Sequence, residues 1–383
     1  MEFHLTRSQK EIQKAAGEFA KGEFDKDLSR ELGKQSTFPE GLRKKAAELG
    51  FIGIHWPEAY EGGGLGILEN TLIAEEFCKN DSSLGIALSL SGFAAESLLL
   101  YGTNELKQMY IPRIATGEMV SGGAFFEPGE MYDLSTTQTT ARADGDYWVI
   151  DGKKSGVLNG GQAGWYCVLC HTGSEKKSPD SLSMFLVEAD SSGLSAAGGQ
   201  DKLGMRMVAT TDLHFKGVRV PRSHLIGTMG MGMKQAKIMS DLYRILVAAM
   251  AIGTARGAFI KSLTYVKQRE QFGKKIGKLQ VTRHKLAEMA LSIEQSALMT
   301  LSAAWHFDKR KKYEMGIAMA KLSACRTALA VSDEAIQLLG GYGYMTEYEV
   351  ERCYRDAKAL ALFEDNPMGV KDDVAAGFIG RIN

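Results

Sequence analysis

The sequence predicts an α+β multi-domain protein: an N-terminal helical domain, then a middle antiparallel β domain, then a C-terminal four-helix-bundle domain. The 383 residues exceed what one compact core usually accommodates. The spacing of apolar residues changes twice, from a helical period to alternation and back to a helical period. The last part holds long helical stretches with few breakers. We place the domains at residues 1–119, 120–228 and 229–383.

The first domain is predicted to be helical from its apolar spacing. Ile12, Ala16 and Phe19 recur at helical intervals between charged residues, and Thr6 or Ser8 stands where an N-cap belongs. Segments with one apolar helical face also follow at residues 42–51, 71–78 and 94–102, and a glycine-rich turn lies at residues 61–66.

The middle domain is predicted to be β structure from alternation and turn residues. A hairpin is expected around Asp144-Gly145, and residues 181–189 have the composition of a strand. The segment 212–221 alternates apolar and polar residues, with Leu213, Phe215, Val218 and Val220 on one side. Cys167 and Cys170 lie in an apolar run typical of a buried strand, so structural cysteines are favoured over a metal or redox pair.

The third domain begins with a helix predicted near Lys234–Gln268. Its buried face is expected to carry five apolar residues, Ile238, Leu242, Ile245, Ala249 and Ile252.

Charge and hydropathy exclude several classes of function. Forty-six basic and 46 acidic residues leave no net charge, which argues against a nucleic-acid partner. We identify no run close to the roughly 20 apolar residues of a membrane span, and the amphipathic N-terminus does not resemble a signal peptide. A cytoplasmic protein with no membrane partner is expected.

Three groups of residues could carry chemistry. Arg269 and Phe272 offer a cation and an aromatic face for a phosphate and a ring, or are a solvated arginine and a core phenylalanine. The glycine-rich segment that begins at Gln337 could approach a pyrophosphate, or could simply end a helix. Glu364 could act as a general base or lie on an exposed loop.

Motifs along almost the whole chain resemble those of the acyl-CoA dehydrogenase family. In order they are PEAYEGGGLG, YGTNELKQMYIPRIATGE, FEPGEMYD, DGKKSGVLNGG, KLGMRMVAT, FKGVRVPRSHLIG, DLYR, YVKQREQFGKKIGKLQ, QLLGGYGY and YRDAK. Each motif alone is weak, whereas the ordered set is specific.

The resemblance implies a catalytic role for Glu364. A carboxylate at this position removes the α-proton of an acyl-CoA thioester while the β-hydride passes to FAD. Tyr243 stands where some members carry their base, which leaves Glu364 as the expected base, and Arg244 supports the same pocket.

The resemblance also implies partners and an assembly. Electron-transfer flavoprotein is the expected reoxidant. A homotetramer is expected, because residues similar to Arg269 and Phe272 reach the FAD of a neighbouring subunit, with Gln337, Gly340 and Gly341 as the complementary wall.

Several positions depart from the family pattern around the flavin. Phe126 precedes Glu-Pro-Gly, and Tyr132 stands where a serine is usual. Gly156 and Leu158 replace an aromatic residue and a hydroxyl, and Asp365-Asn366 follows Glu364 where the family has Gly-Thr. Each lost hydrogen bond is worth only about 0.5–1.5 kcal/mol, so FAD is still expected to bind, with altered contacts.

The acyl group and two other activities stay open at this point. Ser89, Leu90 and Phe93 are expected to form the floor of the acyl pocket, and Gly156 suggests a short, wide pocket for a branched or cyclic group. One alternative is a redox-neutral acyl-CoA lyase or isomerase, with Asp365 as a second acid. The other is a non-catalytic subunit that pairs with an active homologue.

Overall fold

The computed structural model describes residues 4–129, 133–172, 178–363 and 367–380. The helices are α1 Arg7–Glu23, α2 Lys26–Gln35, α3 Glu40–Glu48, α4 Ile67–Asn80, α5 Ser82–Ser89, α6 Ala95–Tyr101, α7 Asn104–Ala115, α8 Gly232–Gln268, α9 Gln280–Asp308, α10 Glu314–Leu339, α11 Val350–Leu362 and α12 Pro367–Ile379. The strands are β1 Ser121–Ala124, β2 Thr140–Asp144, β3 Tyr147–Leu158, β4 Trp165–His171, β5 Leu182–Glu188, β6 Leu194–Ala196, β7 Thr210–Pro221, β8 Leu225–Ile226, β9 Glu270–Gln271 and β10 Lys274–Lys275.

The N-terminal helices form as their caps and apolar spacing predict. Thr6, not Ser8, is the N-cap of α1, because its side chain accepts a hydrogen bond from the Gln9 amide and the Gln9 side chain returns one. Helix α4 is capped from a distant helix. The Asp308 carboxylate, at the end of α9, accepts hydrogen bonds from the amides of Ile67 (2.8 Å) and Leu68 (3.0 Å).

The middle region is one eight-stranded sheet in the order β6-β7-β3-β1-β4-β5-β8, with β2 beside β3 and β4. Most neighbours are antiparallel, as predicted. Two pairs are parallel, however: β1 with β4, and β2 with β4 at a single residue pair. The sheet is therefore mixed at its centre, because β1 enters it directly from the helical domain.

The predicted strand patterns are confirmed. The hairpin around Gly145 joins β2 to β3, and alternate side chains of β7 are buried. All seven residues of β4 are buried, including Cys167 and Cys170, which are free thiols. Burial raises the pKa of both thiols to about 12, so neither is a thiolate at neutral pH.

Helix α8 is the centre of the helical bundle and packs against α4, α9, α10 and α11. The predicted face is buried except for Ile238, which is 37% exposed. Contrary to the expectation from the sequence, this helix is long and apolar enough to cross a bilayer. However, 89% of its most apolar window is buried inside the protein. Its composition is thus accounted for by core packing.

Asp356 on α11 joins the three regions. Its carboxylate accepts hydrogen bonds from the hydroxyls of Ser82 and Ser83 at the start of α5, both at 2.6 Å. It also accepts one from the amide of Met205, in the segment between β6 and β7, at 2.8 Å. Nearby, Arg352 pairs with Asp81 at 2.7 Å. The buried polar groups of α11 therefore bind the helical and β regions.

Candidate active site

A cleft of about 640 Å³ lies between the sheet and α11. Its sheet side consists of residues from β1, β3 and β7, from the segment that follows β1, and from residues 200–205, which precede β7. Its other side consists of Lys358, Ala359 and Leu362 of α11, followed by Phe363. Strands form part of one wall and α11 most of the other, and two segments without regular secondary structure complete the sheet side.

Phe126 and Leu158, predicted to contact a cofactor, both line this cleft. The Ser155 amide donates to the Phe126 carbonyl at 2.9 Å, which fixes the segment after β1 against β3. Leu158 is paired with Gly123 on one side and Thr210 on the other. Two residues 32 positions apart in the sequence therefore meet on one wall.

Gly156 forms an open part of the same wall. Its φ is +62°, and a Cβ built on it has no heavy atom within 4 Å. The backbone is in the left-handed region that favours glycine, so the absence of a side chain there is consistent with the local conformation. The space that an aromatic side chain would fill is open to the cleft.

Lys202 and Thr210 place polar groups in the cleft that the sequence analysis did not identify. The Lys202 ammonium donates to the Thr210 hydroxyl at 2.8 Å and to the Val208 carbonyl. Burial lowers the pKa of Lys202 to about 8, against the opposing attraction of Asp356. The Ala-Thr-Thr at the start of β7 was the signal that could have identified Thr210. This residue is paired with Leu158 and supplies a hydroxyl beside the position where the family has one.

Glu127 lines the cleft but serves to hold the chain. Its carboxylate pairs with Lys154 at 2.8 Å and accepts hydrogen bonds from the amides of Gln138 and Thr139. Burial opposes ionisation of Glu127, but Lys154 and the Thr139 contacts prevail, and its pKa is lowered. The carboxylate is thus a fixed, neutralised anchor.

A second, much smaller cavity of about 40 Å³ lies beside the cleft. Ser89 and Tyr243 line this cavity, and Phe93 lines both spaces. The Phe93 ring stacks on Tyr243 with centroids 4.3 Å apart and packs on Phe363 at 5.6 Å. These three rings form an aromatic wall along which the cleft and the cavity adjoin.

The structure brings two of the three predicted floor residues into one cavity. Ser89 and Phe93 line the cavity, but Leu90 is completely buried in the core, and its carbonyl accepts a hydrogen bond from Asn159 at 3.0 Å. The floor is also not one helix, because α5 ends at Ser89 and α6 begins at Ala95. Asn159 donates to the Ser121 carbonyl too, so the turn between the helices is attached to β1.

Four residues of interest lie outside the described residues: Tyr132, Glu364, Asp365 and Asn366. Phe363, which immediately precedes Glu364, ends α11 at the aromatic wall. Lys321 of α10 is 2% exposed and donates to the Phe363 carbonyl at 2.6 Å. The chain is therefore anchored just before Glu364.

Arg244 binds the helix that follows this segment. Its guanidinium pairs with Asp373 of α12 at 2.6 Å and lies 3.6 Å from Asp241 one turn earlier in α8. Burial raises the pKa of Asp241 to about 6, although Arg244 opposes that shift. Arg244 thus connects α8 to α12 and acts as a positioning residue.

A third cleft, of about 430 Å³, brings together Arg269, Gln337, Gly340 and Gly341, as predicted. Tyr342 lies 5.8 Å below the Arg269 guanidinium. Gly340 also ends α10 with a φ of +62°, so the helix-end interpretation of the glycine cluster is confirmed, and its approach to a pyrophosphate stays a prediction. Phe272 is 87% exposed beside this cleft, so the core-phenylalanine alternative is wrong.

The side chains of Arg355 and Asp356, on the helix that follows the glycine turn, contact other parts of the chain. Arg355 donates to the Leu203 carbonyl and pairs with Glu351, and Asp356 binds α5 and the Met205 amide. Both residues of α11 therefore support the first cleft.

Comparison with protein families accounts for most of the chain. Residues 6–118, 123–218 and 230–364 match the N-terminal, middle and C-terminal domains of acyl-CoA dehydrogenases. The chain belongs to the acyl-CoA dehydrogenase family. The fold and the acyl-CoA dehydrogenase-type oxidoreductase activity expected from the sequence are confirmed at the level of this family.

Individual family members are similar over nearly the full length. The short-chain specific acyl-CoA dehydrogenase of rat mitochondria is 36% identical over 338 residues, 88% of this chain and 82% of the rat protein. Butyryl-CoA dehydrogenase from Megasphaera elsdenii has a TM-score of 0.94 at 31% identity, covering 99% of this chain and 100% of that one. A chain from a study of the electron transferring flavoprotein of Acidaminococcus fermentans has a TM-score of 0.96 at 35% identity, with both chains fully covered.

One similar acyl-CoA dehydrogenase structure contains the reduced cofactor. It is a glutaryl-CoA dehydrogenase from Mycobacterium smegmatis in complex with FADH2, with a TM-score of 0.92 at 25% identity, covering 99% of this chain and 96% of that one.

The residues of this chain fit FAD. The first cleft has the size of a cofactor site, apolar walls from Phe126, Leu158 and Met205, and polar groups at Lys202 and Thr210. The third cleft offers a cation, Arg269, together with tyrosine rings, a suitable set for a phosphate and an aromatic base. Among the described residues, the two clefts share no lining residue.

Proposed function

We propose that this chain binds FAD in the 640 Å³ cleft and oxidises the Cα–Cβ bond of a short acyl-CoA thioester, with Glu364 as the base. One observation carries the proposal: the wall of Phe126 and Leu158 faces a cleft that ends at Phe93 and Phe363, directly before Glu364 in the chain. When bound, FAD supplies the acceptor for the β-hydride.

The aromatic wall prepares the site for proton abstraction. Phe93, Tyr243 and Phe363 exclude water from the side of the cleft where the chain reaches Glu364. A carboxylate in water-poor surroundings has a raised pKa and is a stronger base towards the weakly acidic α-proton of a thioester. Lys321 and Arg244 hold the two ends of the segment that carries this base.

The shape of the site supports a short acyl group. The cavity beyond Phe93 measures only about 40 Å³, which accommodates one small terminal group. Gly156 lies on the wall of the cleft without a side chain, which favours width near the reacting carbons. A short chain with a branch or a ring near the thioester fits this outline.

An assembly of four chains and an external reoxidant complete the proposal. Arg269, Gln337, Gly340 and Gly341 would act on the FAD of a neighbouring subunit, since their cleft is separate from the first one in the described part of the chain. Exposed apolar side chains on α9, Val281, Leu291 and Leu298, support association. Electron-transfer flavoprotein is the proposed reoxidant, and the cytoplasm is the proposed location.

The first test is an absorbance spectrum of the purified protein, repeated after denaturation to count released flavin. Bands at about 370 and 450 nm with close to one flavin per chain are expected. Turnover of butyryl-CoA with an artificial electron acceptor should then follow. A colourless protein that cannot be reconstituted with FAD would contradict the proposal and favour a redox-neutral enzyme or a partner subunit.

A further inference from the structure

The small cavity beside the aromatic wall contains a buried polar group with no counterpart in the reaction described above. His55 and Trp56, in the segment after α3, line it together with Glu96 in the first turn of α6. Glu96 is 6% exposed and Trp56 is 3% exposed. Apart from these residues and Asn70, Ser89, Ser91 and Tyr243, the cavity is lined by apolar side chains and glycines.

The three side chains are held in one arrangement. A single oxygen of Glu96, Oε1, accepts a hydrogen bond from Trp56 Nε1 at 2.8 Å and lies 2.7 Å from His55 Nε2. Because an ionised carboxylate can only accept, Nε2 of His55 carries the proton in this contact. The other ring nitrogen, Nδ1, is then fixed in orientation.

His55 Nδ1 is the unused group of the cluster. It is completely buried and has no hydrogen-bond partner among the described residues. The side chain of His55 is only 10% exposed. A buried polar atom without a partner is costly, so a ligand atom that bonds it is favoured over an apolar one.

The charge of the cluster selects the ligand. A carboxyl-terminated acyl group would bring a second anion to Glu96, which is unfavourable in a water-poor cavity. A methyl end would leave Nδ1 unpaired. A hydroxyl can accept from Nδ1 or donate to it, and so suits either protonation state of His55.

We propose that His55, oriented by Glu96 and Trp56, makes the end of the acyl pocket selective for acyl-CoA thioesters whose acyl chain ends in a hydroxyl group. The inference rests on the proposed function, because it takes the cavity beyond Phe93 as the end of the acyl site. The volume of about 40 Å³ admits one such group and little more.

The test compares matched substrates. We would measure kcat/KM for butyryl-, pentanoyl- and hexanoyl-CoA and for their ω-hydroxy counterparts, with the flavin-loaded protein and an artificial acceptor. At the chain length that places the hydroxyl beside Nδ1, kcat/KM is expected to be about tenfold higher for the hydroxylated thioester than for the plain one. This is the effect of one well-placed hydrogen bond. A ratio within twofold at every length would overturn the proposal and leave the cavity as a site for a buried water only.

Two variants of His55 distinguish a loss of hydroxyl recognition from a general loss of activity. His55→Gln keeps a polar group at the position of Nε2 and loses Nδ1, so its preference for the hydroxyl should fall to about twofold or less. His55→Asn keeps a polar group near the position of Nδ1 and should retain more of the preference. Equal preference in the wild type and His55→Gln would contradict the assigned role, provided that both oxidise the plain thioesters.

A binding measurement separates this inference from the proposed reaction. Non-reactive thioether analogues of the same CoA compounds would be titrated calorimetrically into the wild type. Tighter binding of the hydroxylated analogue without turnover of any thioester would support the acyl pocket and contradict the proposed dehydrogenase reaction. Turnover of the plain thioesters without any discrimination, in kinetics and in binding, would contradict this inference alone.

Discussion

At the scale of single residues, some side chains line the proposed reaction site, and others keep the surrounding helices in place. Phe126, Leu158, Phe93 and Tyr243 line the cleft or its cavity. Arg244 instead forms ion pairs that connect two helices. A substitution in the first group should change catalysis or binding, whereas one in the second should act through stability and position.

Glu364→Gln is expected to lower acyl-CoA oxidation by about a thousandfold, because an amide has the shape of the carboxyl group but is not a base. Flavin content, measured by absorbance, should be unchanged. Glu48→Gln, an exposed residue at the end of α3, is the matched control. Near-normal turnover by the Glu364 variant would remove this residue from the mechanism.

Leu158→Thr is expected to tighten FAD binding about two- to tenfold and to shift the flavin spectrum, because it adds a hydroxyl on the wall of the cleft. Val157→Thr makes a comparable change in the next residue of β3, whose side chain points to the other face of the sheet. If both variants have the wild-type spectrum and affinity, the flavin ring does not lie against Leu158.

Asp241→Asn is expected to change how stability depends on pH. Burial raises the pKa of Asp241 from its ordinary 3.8 to about 6 in the folded protein. Between these values the folded protein keeps a proton that the unfolded chain has released, so the contribution of Asp241 to stability falls as pH rises. Relative to the wild type, the variant should therefore gain roughly 2–3 kcal/mol between pH 4 and pH 7 in urea unfolding. A constant difference across this range would refute the shift.

At the scale of secondary-structure elements, α11 is the part on which the site depends. It supplies one side of the cleft and delivers the chain to Glu364. Its Asp356 reaches α5, which precedes the turn carrying Phe93, and its Arg355 donates to the Leu203 carbonyl on the opposite wall at 3.0 Å. The spacing between the walls is therefore set by polar contacts of one helix.

Asp356→Ala is expected to destabilise the protein by about 3 kcal/mol, because it leaves two buried hydroxyls and one buried amide without their acceptor. The amount of bound flavin should also fall, because the wall of the cleft at Met205 loses its hydrogen bond to α11. Asp146→Asn in the exposed β2–β3 turn is the control. Urea unfolding followed by intrinsic fluorescence would measure both, and equal stability would argue against this role for Asp356.

At the scale of the whole molecule, the two clefts of one chain contain different parts of one proposed cofactor site. The first holds the predicted ring-binding and catalytic side, and the third holds Arg269 and the glycine turn. A complete site then needs two subunits. Exposed apolar residues next to the third cleft, such as Phe272 and Tyr344, are consistent with contact to another chain.

Mixing two inactive variants tests this arrangement. Arg269→Ala and Glu364→Gln should each be nearly inactive alone. Co-expressed, they should regain roughly a quarter of wild-type activity, since some sites then combine an intact Glu364 with an intact Arg269 from the neighbour. No recovery in verified mixed tetramers would place both residues in the site of one chain.

Much of the fold could be predicted because local patterns decide it. The hairpin at Gly145, the alternation along β7 and the extent of α8 each follow from spacing that one element imposes on its own residues. Ile238 was predicted to be buried, but it is exposed. The elements packed against a helix, and not the period of its apolar residues alone, determine which part of the helix surface is covered.

The residues of the site were predictable only where a motif names them. Arg269, Gln337 and Gly340 were found and do meet in one cleft. Lys202 and Thr210 are the first and last residues of the motif KLGMRMVAT, but no role was predicted for them, because only the course of the chain brings these two residues, eight positions apart, into contact.

The sequence by itself determined the family, the succession of helices and strands, and the identity of the expected base, because these depend on residue types and their order. Only the tertiary structure decided which walls face each other across the cleft. It alone showed that Phe93, Tyr243 and Phe363 form one aromatic wall and that His55 and Glu96 meet behind it. These contacts join segments that are tens to hundreds of residues apart. The segments come together because α8 and α11 pack against the other domains, and no local pattern encodes that packing.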